Sequence, residues 1–399
     1  MKPSLNAVCF AHAIAVLFAG VAAAETVPLV DPQYLATIKD DYVSLPRGMT
    51  PEERATYRAP DLSRMPSTPP ANSVRAQSEY ENTDGLLVRW GSQNALLTTM
   101  TVAATTLDAT ARMYVVVRDE AQRTDAFGIL QVAGANMDRV EFITQPCVSG
   151  CSVWMRDYGP RFIDNLGRRE SVDHVYNRNR PTDDAFPDVW SALRAEPQYD
   201  MPLIHGGGNF HLFSNRRAFM TALIQNENTG STTQQIRDLY RAYQGLDVEI
   251  VPAFPVTFDS TQHIDMWVYP VDDNEVIVSD YPEAGDEVPN AIADNFAAAR
   301  AAEGYTVYRT PGWSSGNGIG THFTYANSIA LNSIVMVCTF NGQTVRNEEA
   351  RAVYAAAFEN KRIVQIDCSG IIGLAGAIHC IVMHVPNGAL SLLFNNDFE

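Results

Sequence analysis

Residues 263–280 read His-Ile-Asp-Met-Trp-Val-Tyr-Pro-Val-Asp-Asp-Asn-Glu-Val-Ile-Val-Ser-Asp. Two apolar, β-branched runs flank the turn signal Asp272-Asp273-Asn274, which predicts a hairpin pairing 263–270 with 275–280. A helical pattern over 288–303 follows, and then a strand pattern over 305–309. The same order of hairpin, helix and single strand recurs. Segments 208–213 and 218–225 precede a helix over 232–243 and a strand over 248–252, while 323–331 and 334–339 precede a helix over 347–359 and a strand over 362–366. A further hairpin, 160–164 with 170–176, turns at Asn165-Leu166-Gly167. The spacing of about 60 residues exceeds that of linear solenoid repeats, so radial stacking of α/β units is expected. An open mixed α/β sheet is the alternative architecture.

Outward from these repeats, strands are predicted over 85–90, 113–117 and 140–144, with a helix over 119–132. The repeats argue for one domain over 85–399. Before it, 25–84 is rich in proline and polar residues and predicts an irregular arm, with one short helix over 51–57 opened by Thr50. Residues 1–24 carry a lone Lys2, an apolar run over 13–22 and small residues Ala22-Ala23-Ala24, the pattern of a cleaved secretory signal peptide. An exported, secreted or periplasmic protein is therefore expected. No later run is long enough to span a bilayer.

The formal net charge is −17, with 46% hydrophobic residues, and loss of Lys2 with the leader makes the chain one unit more acidic. Nucleic acid and anionic membranes are poor partners for such a chain, and cationic substrates are attracted.

There are six cysteines, one of which, Cys9, falls in the leader. Cys147 and Cys151 are close enough for a small loop disulfide, and Cys338 and Cys368 each follow or end a strand-like run. Those pairings leave Cys380, in Gly373-Leu374-Ala375-Gly376-Ala377-Ile378-His379-Cys380, without a partner, as either a free reactive thiol or a buried small hydrophobe.

Each repeat carries a polar cluster: Trp154-Met155-Arg156-Asp157-Tyr158-Gly159-Pro160, His205-Gly206-Gly207-Gly208-Asn209, Gln262-His263-Ile264-Asp265, and Tyr325-Ala326-Asn327. Radial stacking would bring these clusters and Cys380 to one central pocket. On a strand, His263 and Asp265 would share a face. Asp157 stands beside Arg156, with which it could form a plain ion pair.

In this order the motifs resemble those of the agmatine deiminase and bacterial peptidylarginine deiminase family, across about residues 75 to 399. The resemblance implies the pentein fold, a five-bladed α/β propeller, with no cofactor and no metal. It implies that Cys380 is the nucleophile, that His263 is the general acid/base, and that Asp157 and Asp265 grip a guanidinium. Trp154, Arg156, Gly208, Asn209 and Asn327 match further motif positions and are expected to bind substrate.

These residue types suit the chemistry. A guanidinium is planar and permanently protonated, and two carboxylates can hold it by charge-assisted hydrogen bonds. A thiolate can attack its central carbon while an imidazole handles the protons. A cation and a histidinium nearby are expected to lower the thiol's pKa.

One stretch departs from the pattern. After Asn209, many agmatine-acting members have an acidic, glycine-containing segment, whereas 211–217 here is neutral to basic. This favours peptidyl or free arginine as substrate, with Arg216 and Arg217 either facing a carboxylate or lying in a solvated turn. The alternatives are an agmatine deiminase making N-carbamoylputrescine and ammonia, a metal-dependent ureohydrolase, and a non-catalytic binding protein for cationic ligands.

Overall fold

Val268–Asp272 and Glu275–Asp280 pair antiparallel. The helix Glu287–Ala302 then returns the chain so that Thr306–Ser314 lies parallel to the second hairpin strand. The computed structural model describes residues 28–62, 65, 68–147, 151–316 and 320–388. The leader expected over 1–24, with Cys9, lies outside them.

Among the described residues the same unit is built five times, in five separate sheets. Arg161–Asn165, Arg168–Tyr176 and Gln198–His205 form one, with Arg75–Ala76 added at its edge. His211–Leu212, Arg217–Thr221 and Asp247–Val251 form the next, and Ile329–Ala330, Ile334–Thr339 and Arg362–Asp367 another. In the last unit the antiparallel pair comes from opposite ends of the chain. Met383–Pro386 pairs with Thr83–Arg89, which lies parallel to Arg112–Val117 and through it to Val140–Thr144. The fold is therefore mixed α/β.

One crossover helix follows closely from local signals. Thr233–Gln244 starts at a capping box formed by Thr232 and Gln235 and ends at Gly245, where φ is +69°, a conformation that glycine reaches without a Cβ penalty. Ile236, Tyr240 and Tyr243 are buried, and their helical spacing places them on one face against the sheet.

The structure redraws several expected elements. His263 is not in a strand: it is an extended residue before the 3-10 turn Ile264–Met266, and the strand begins only at Val268. The expected strand over 323–331 is split into His322–Thr324 and Ile329–Ala330, with Asn327 in the connection. The arm contains short helices at Pro32–Leu35 and Pro51–Thr56, the second with a Thr50/Glu53 capping box. Among the described residues, no helix is long and apolar enough to cross a membrane.

Cys147 is bonded to Cys151 and Cys338 to Cys368, and Cys380 is free and buried. The Cys338–Cys368 bridge ties Ile334–Thr339 to the exit of the parallel strand Arg362–Asp367 across a separation of 30 residues. Closing a loop of that length restricts the unfolded chain by about 3 to 4 kcal/mol. Replacing both cysteines by alanine should lower the unfolding free energy by about that amount in urea titrations followed by tryptophan fluorescence. A loss under about 1 kcal/mol would show that the strand pair holds its place without the bridge.

Candidate active site

Asp157 lies in the single helical turn Met155–Tyr158 and Asp265 in the 3-10 turn Ile264–Met266, and both are fully buried. The glycine-rich loop between them fixes their separation. The Gly208 amide donates to Asp157 Oδ1 at 3.0 Å, and the Gly208 carbonyl accepts from the Asp265 amide at 3.2 Å. Asn209 Oδ1 accepts from the amides of Thr221 and Ile264, so this side chain pins the turn carrying Asp265 and does not face the carboxylates. A Cβ on Gly207 would stand 2.0 Å from the Arg156 carbonyl oxygen, and one on Gly208 would stand 2.6 Å from Asp265 Oδ2. Only glycine permits so close an approach.

Cys380 lies in the 3-10 turn His379–Ile381, immediately before the strand Met383–Pro386 that joins the two ends of the chain. Asn327 Nδ2 donates to Cys380 Sγ at 3.1 Å and to the Asp265 carbonyl at 3.0 Å, and Asn327 Oδ1 accepts from the His379 amide. Gln262, just before His263, has φ +57°, an unusual conformation for a residue with a side chain. It is held by its side-chain bond to the Phe254 carbonyl and by the Thr221 hydroxyl on its own carbonyl. His263 is fully buried, and neither ring nitrogen makes a hydrogen bond among the described residues; Nδ1 stands 3.6 Å from Asp157 Oδ1.

The seat between the carboxylates holds a guanidinium from the chain itself. Arg47, in the proline-rich arm, donates from Nε and Nη2 to Asp157 at 2.9 and 2.8 Å, from Nη1 and Nη2 to Asp265 at 3.1 and 3.0 Å, and from Nη1 to Cys380 Sγ at 2.7 Å. All five N–H donors of a guanidinium are thereby used. Nothing in Leu45-Pro46-Arg47-Gly48 marks this residue in the sequence, since it belongs to no periodic element.

Arg156 differs from expectation: it pairs with neither a substrate group nor Asp157, but with Glu79 at 2.6 Å and with His384 Nδ1 at 3.0 Å. Glu79 meets His379 Nε2 at 2.8 Å, and His379 Nδ1 meets Asp265 Oδ2 at 3.0 Å. Arg156, Glu79 and His379 thus form a chain of charged groups behind Asp265. Trp154 packs against Gly376 and donates from Nε1 to the Leu45 carbonyl, so it walls the seat without touching the guanidinium. Arg217 is engaged by Glu249 and Glu303, and Arg216 lies in the hairpin turn with φ +72°. The basic groups beside the seat are instead Arg178 and Arg180, which reach the arm's backbone.

Burial works to raise both carboxyls, but Arg47 outweighs it. Asp157 is held at about 2 against an ordinary 3.8, with His263 adding to the effect, and Asp265 lies far below the carboxylate range. Burial and Arg47 push His263 down to about 4. Burial drives the Cys380 thiol well above its ordinary value despite Arg47. This corrects the expectation of a lowered thiol: complete desolvation, together with two carboxylates, exceeds the pull of one cation. Among the described residues, Glu79, His211 and His379 form the group able to hold a metal ion, with ligand atoms within 4.8 Å of one another. Two of the three are already engaged by Arg156 or Asp265.

Fold and site together define a class: a mixed α/β chain that clamps a planar guanidinium between two buried carboxylates, against a free thiol. Residues 75–386 match the family model of Porphyromonas-type peptidyl-arginine deiminases. The chain belongs to that family, and it is a hydrolase of guanidino groups. It is 23% identical over 272 residues to a Marinomonas sp. (strain MWYL1) protein provisionally named agmatine deiminase, a match covering 58% of this chain and 73% of the relative. Among solved structures it is similar to the C. jejuni agmatine deiminase in a serine-substituted form with substrate bound, at 16% identity and a TM-score of 0.67, covering 79% of this chain and 97% of the other. The agmatine deiminase of Enterococcus faecalis superposes at 18% identity and a TM-score of 0.65, covering 81% and 98%.

Two outcomes test this geometry. Gly208→Ala should abolish guanidinium binding, because its Cβ would fall 1.7 Å from the bound Nη2; a KM for substrate within threefold of wild type would refute it. Asp157, depressed in the fold, stabilises it fully above 3.8, and this contribution disappears as pH falls towards about 2. Acid titration should therefore show wild type losing its stability advantage over Asp157→Asn across that interval. An advantage that persists at lower pH would mean the carboxylate charge is not its source.

Proposed function

We propose that the chain is a cysteine-dependent deiminase of arginine within a peptide, and that the five units stack radially as a pentein propeller around the seat. The observation that carries the substrate reading is the seated Arg47, which is itself a peptidyl arginine. Its backbone is read as well as its side chain. Arg178 Nε donates to the Arg47 carbonyl at 3.0 Å, Arg180 Nη2 to the carbonyls of Pro46 and Gly48 at 2.8 and 3.1 Å, and Trp154 to that of Leu45 at 2.9 Å. Agmatine carries none of these acceptors and brings a second positive charge towards Arg178. The two disulfides support export to an oxidising compartment.

In the proposed reaction, the substrate guanidinium takes the five contacts made by Arg47. Asp157 and Asp265 keep it cationic and its central carbon electrophilic. Cys380 gives up its proton as it attacks. His263, neutral and with a pKa of about 4, is the base available to take that proton. The proton then leaves with the nitrogen as ammonia, and the carbon remains bonded to sulfur as a thiouronium. His263 next takes a proton from water, whose oxygen attacks the same carbon. The C–S bond breaks, the ureido product forms, and Cys380 is restored as a thiol. The hydroxyl proton passes to sulfur as the C–S bond breaks, and His263 releases to solvent the proton it took from water, so that the net change is guanidinium plus water giving a neutral ureido group, ammonia and one proton, together an ammonium ion.

Purified protein should be incubated with a terminally blocked peptide carrying an internal arginine, an arginine-ended peptide, free arginine and agmatine, with ureido product and ammonia assayed. The peptides are expected to show the highest kcat/KM, with turnover lost in Cys380→Ser and His263→Ala and retained in EDTA. An agmatine kcat/KM a hundredfold above that of either peptide would make the enzyme an agmatine deiminase, and activity lost to chelation and restored by manganese would point to a metal-dependent ureohydrolase.

A further inference from the structure

The seat is filled by a segment that lies outside the family match over residues 75–386, and that segment is docked along its length. Gln93 Nε2 donates to the Ser44 hydroxyl, the Arg47 amide donates to the Leu374 carbonyl at 2.9 Å, and Arg180 pairs with Glu53 at 2.7 Å. Further out, Asn94 holds Asp40 and Lys39, and Asn179 donates to Thr56. Arg47, Asp157, His263, Asp265 and Cys380 are all completely buried. With the arm down, neither a second guanidinium nor the water needed for hydrolysis can reach the sulfur.

We propose that Leu45–Gly48 is a built-in pseudosubstrate, and that the arm holds the enzyme latent until it is displaced from the seat. A ligand tethered to its own site acts at an effective concentration in the millimolar range, so a dilute peptide competes poorly with it. Arg47 is held without being consumed. In the closed state the thiol is neutral, pushed up by burial and by the flanking carboxylates, and no solvent has access to complete a hydrolysis. When the arm leaves, water enters and the seat is exposed to a substrate arginine with its three backbone-reading side chains, Arg178, Arg180 and Trp154, free.

The test uses the full-length chain. The iodoacetamide alkylation rate of Cys380, followed by peptide mass mapping, should rise at least tenfold in Arg47→Ala. Glu53→Ala, which unhooks the arm from Arg180 without touching the seat, should move it the same way by a smaller factor. Alkylation reports the arm whether or not the protein deiminates anything, so it separates this inference from the deiminase reading on which the turnover arm rests. In that arm, kcat/KM for a peptide with an internal arginine should rise at least tenfold in Arg47→Ala. A synthetic peptide spanning residues 40–57 should inhibit this variant, and the same peptide with lysine for Arg47 should not. Equal alkylation rates in wild type and both variants would overturn the proposal. So would a ureido group found at Arg47 of purified wild type, which would make the arm a substrate.

Discussion

Two buried carboxylates that share one cation govern this molecule. Asp157 and Asp265 are completely desolvated, a state that costs several kcal/mol per ion unless paired. Each therefore needs donors from the protein and a counter-charge between them. The Gly208 amide, His379 and the ordered turn around Asp265 supply the donors. A guanidinium supplies the charge, and its planar fork fits two carboxylates at once where an ammonium could not. The cation that fits is also the group whose central carbon the thiol would attack, so stability of the closed site and recognition of substrate draw on the same contacts.

The fold serves this constraint by assembling the site from short, irregular connections. Asp157, Asp265 and Cys380 all sit in single helical turns, each just before a strand that anchors it. Met383–Pro386 pairs with Thr83–Arg89, bringing the C-terminal end of the described chain to a strand near its N-terminal end. Cys380 is thereby fixed against elements more than 200 residues away. The chain Arg156–Glu79–His379–Asp265 extends the polar network behind the seat. It gives Arg156 a structural partner and explains why this arginine does not neutralise Asp157.

The repeating hairpin, helix and strand were legible because period-2 and period-3.6 patterning and Asx turns are local signals. The apolar run at Val140–Thr144 has the bounds of its strand, and Thr232 is the cap that its side chain and position suggest. The divided fifth unit was not legible, since no local pattern tells Met383–Pro386 that its partner lies at Thr83–Arg89. The residues around the seat are marked in the sequence by motif resemblance alone; the i, i+2 spacing of His263 and Asp265 implies a shared strand face, but the segment folds as a turn. Arg156 turns to Glu79 and His384 and not to Asp157, because adjacency in sequence does not set side-chain direction in a helical turn. Arg47 leaves no periodic trace because it sits in an irregular arm, and Arg178 and Arg180 lie in the short connection after Arg168–Tyr176, where no local pattern marks their contact with it.

On this reading the carboxylate pair binds one guanidinium at a time, and Arg47 and a substrate arginine compete for it. Calorimetric titration of an internal-arginine peptide into Cys380→Ser and into Cys380→Ser/Arg47→Ala measures this without turnover. Tight binding to the double variant is expected, with at least tenfold weaker binding when Arg47 is present. Equal affinity for the two proteins would contradict it.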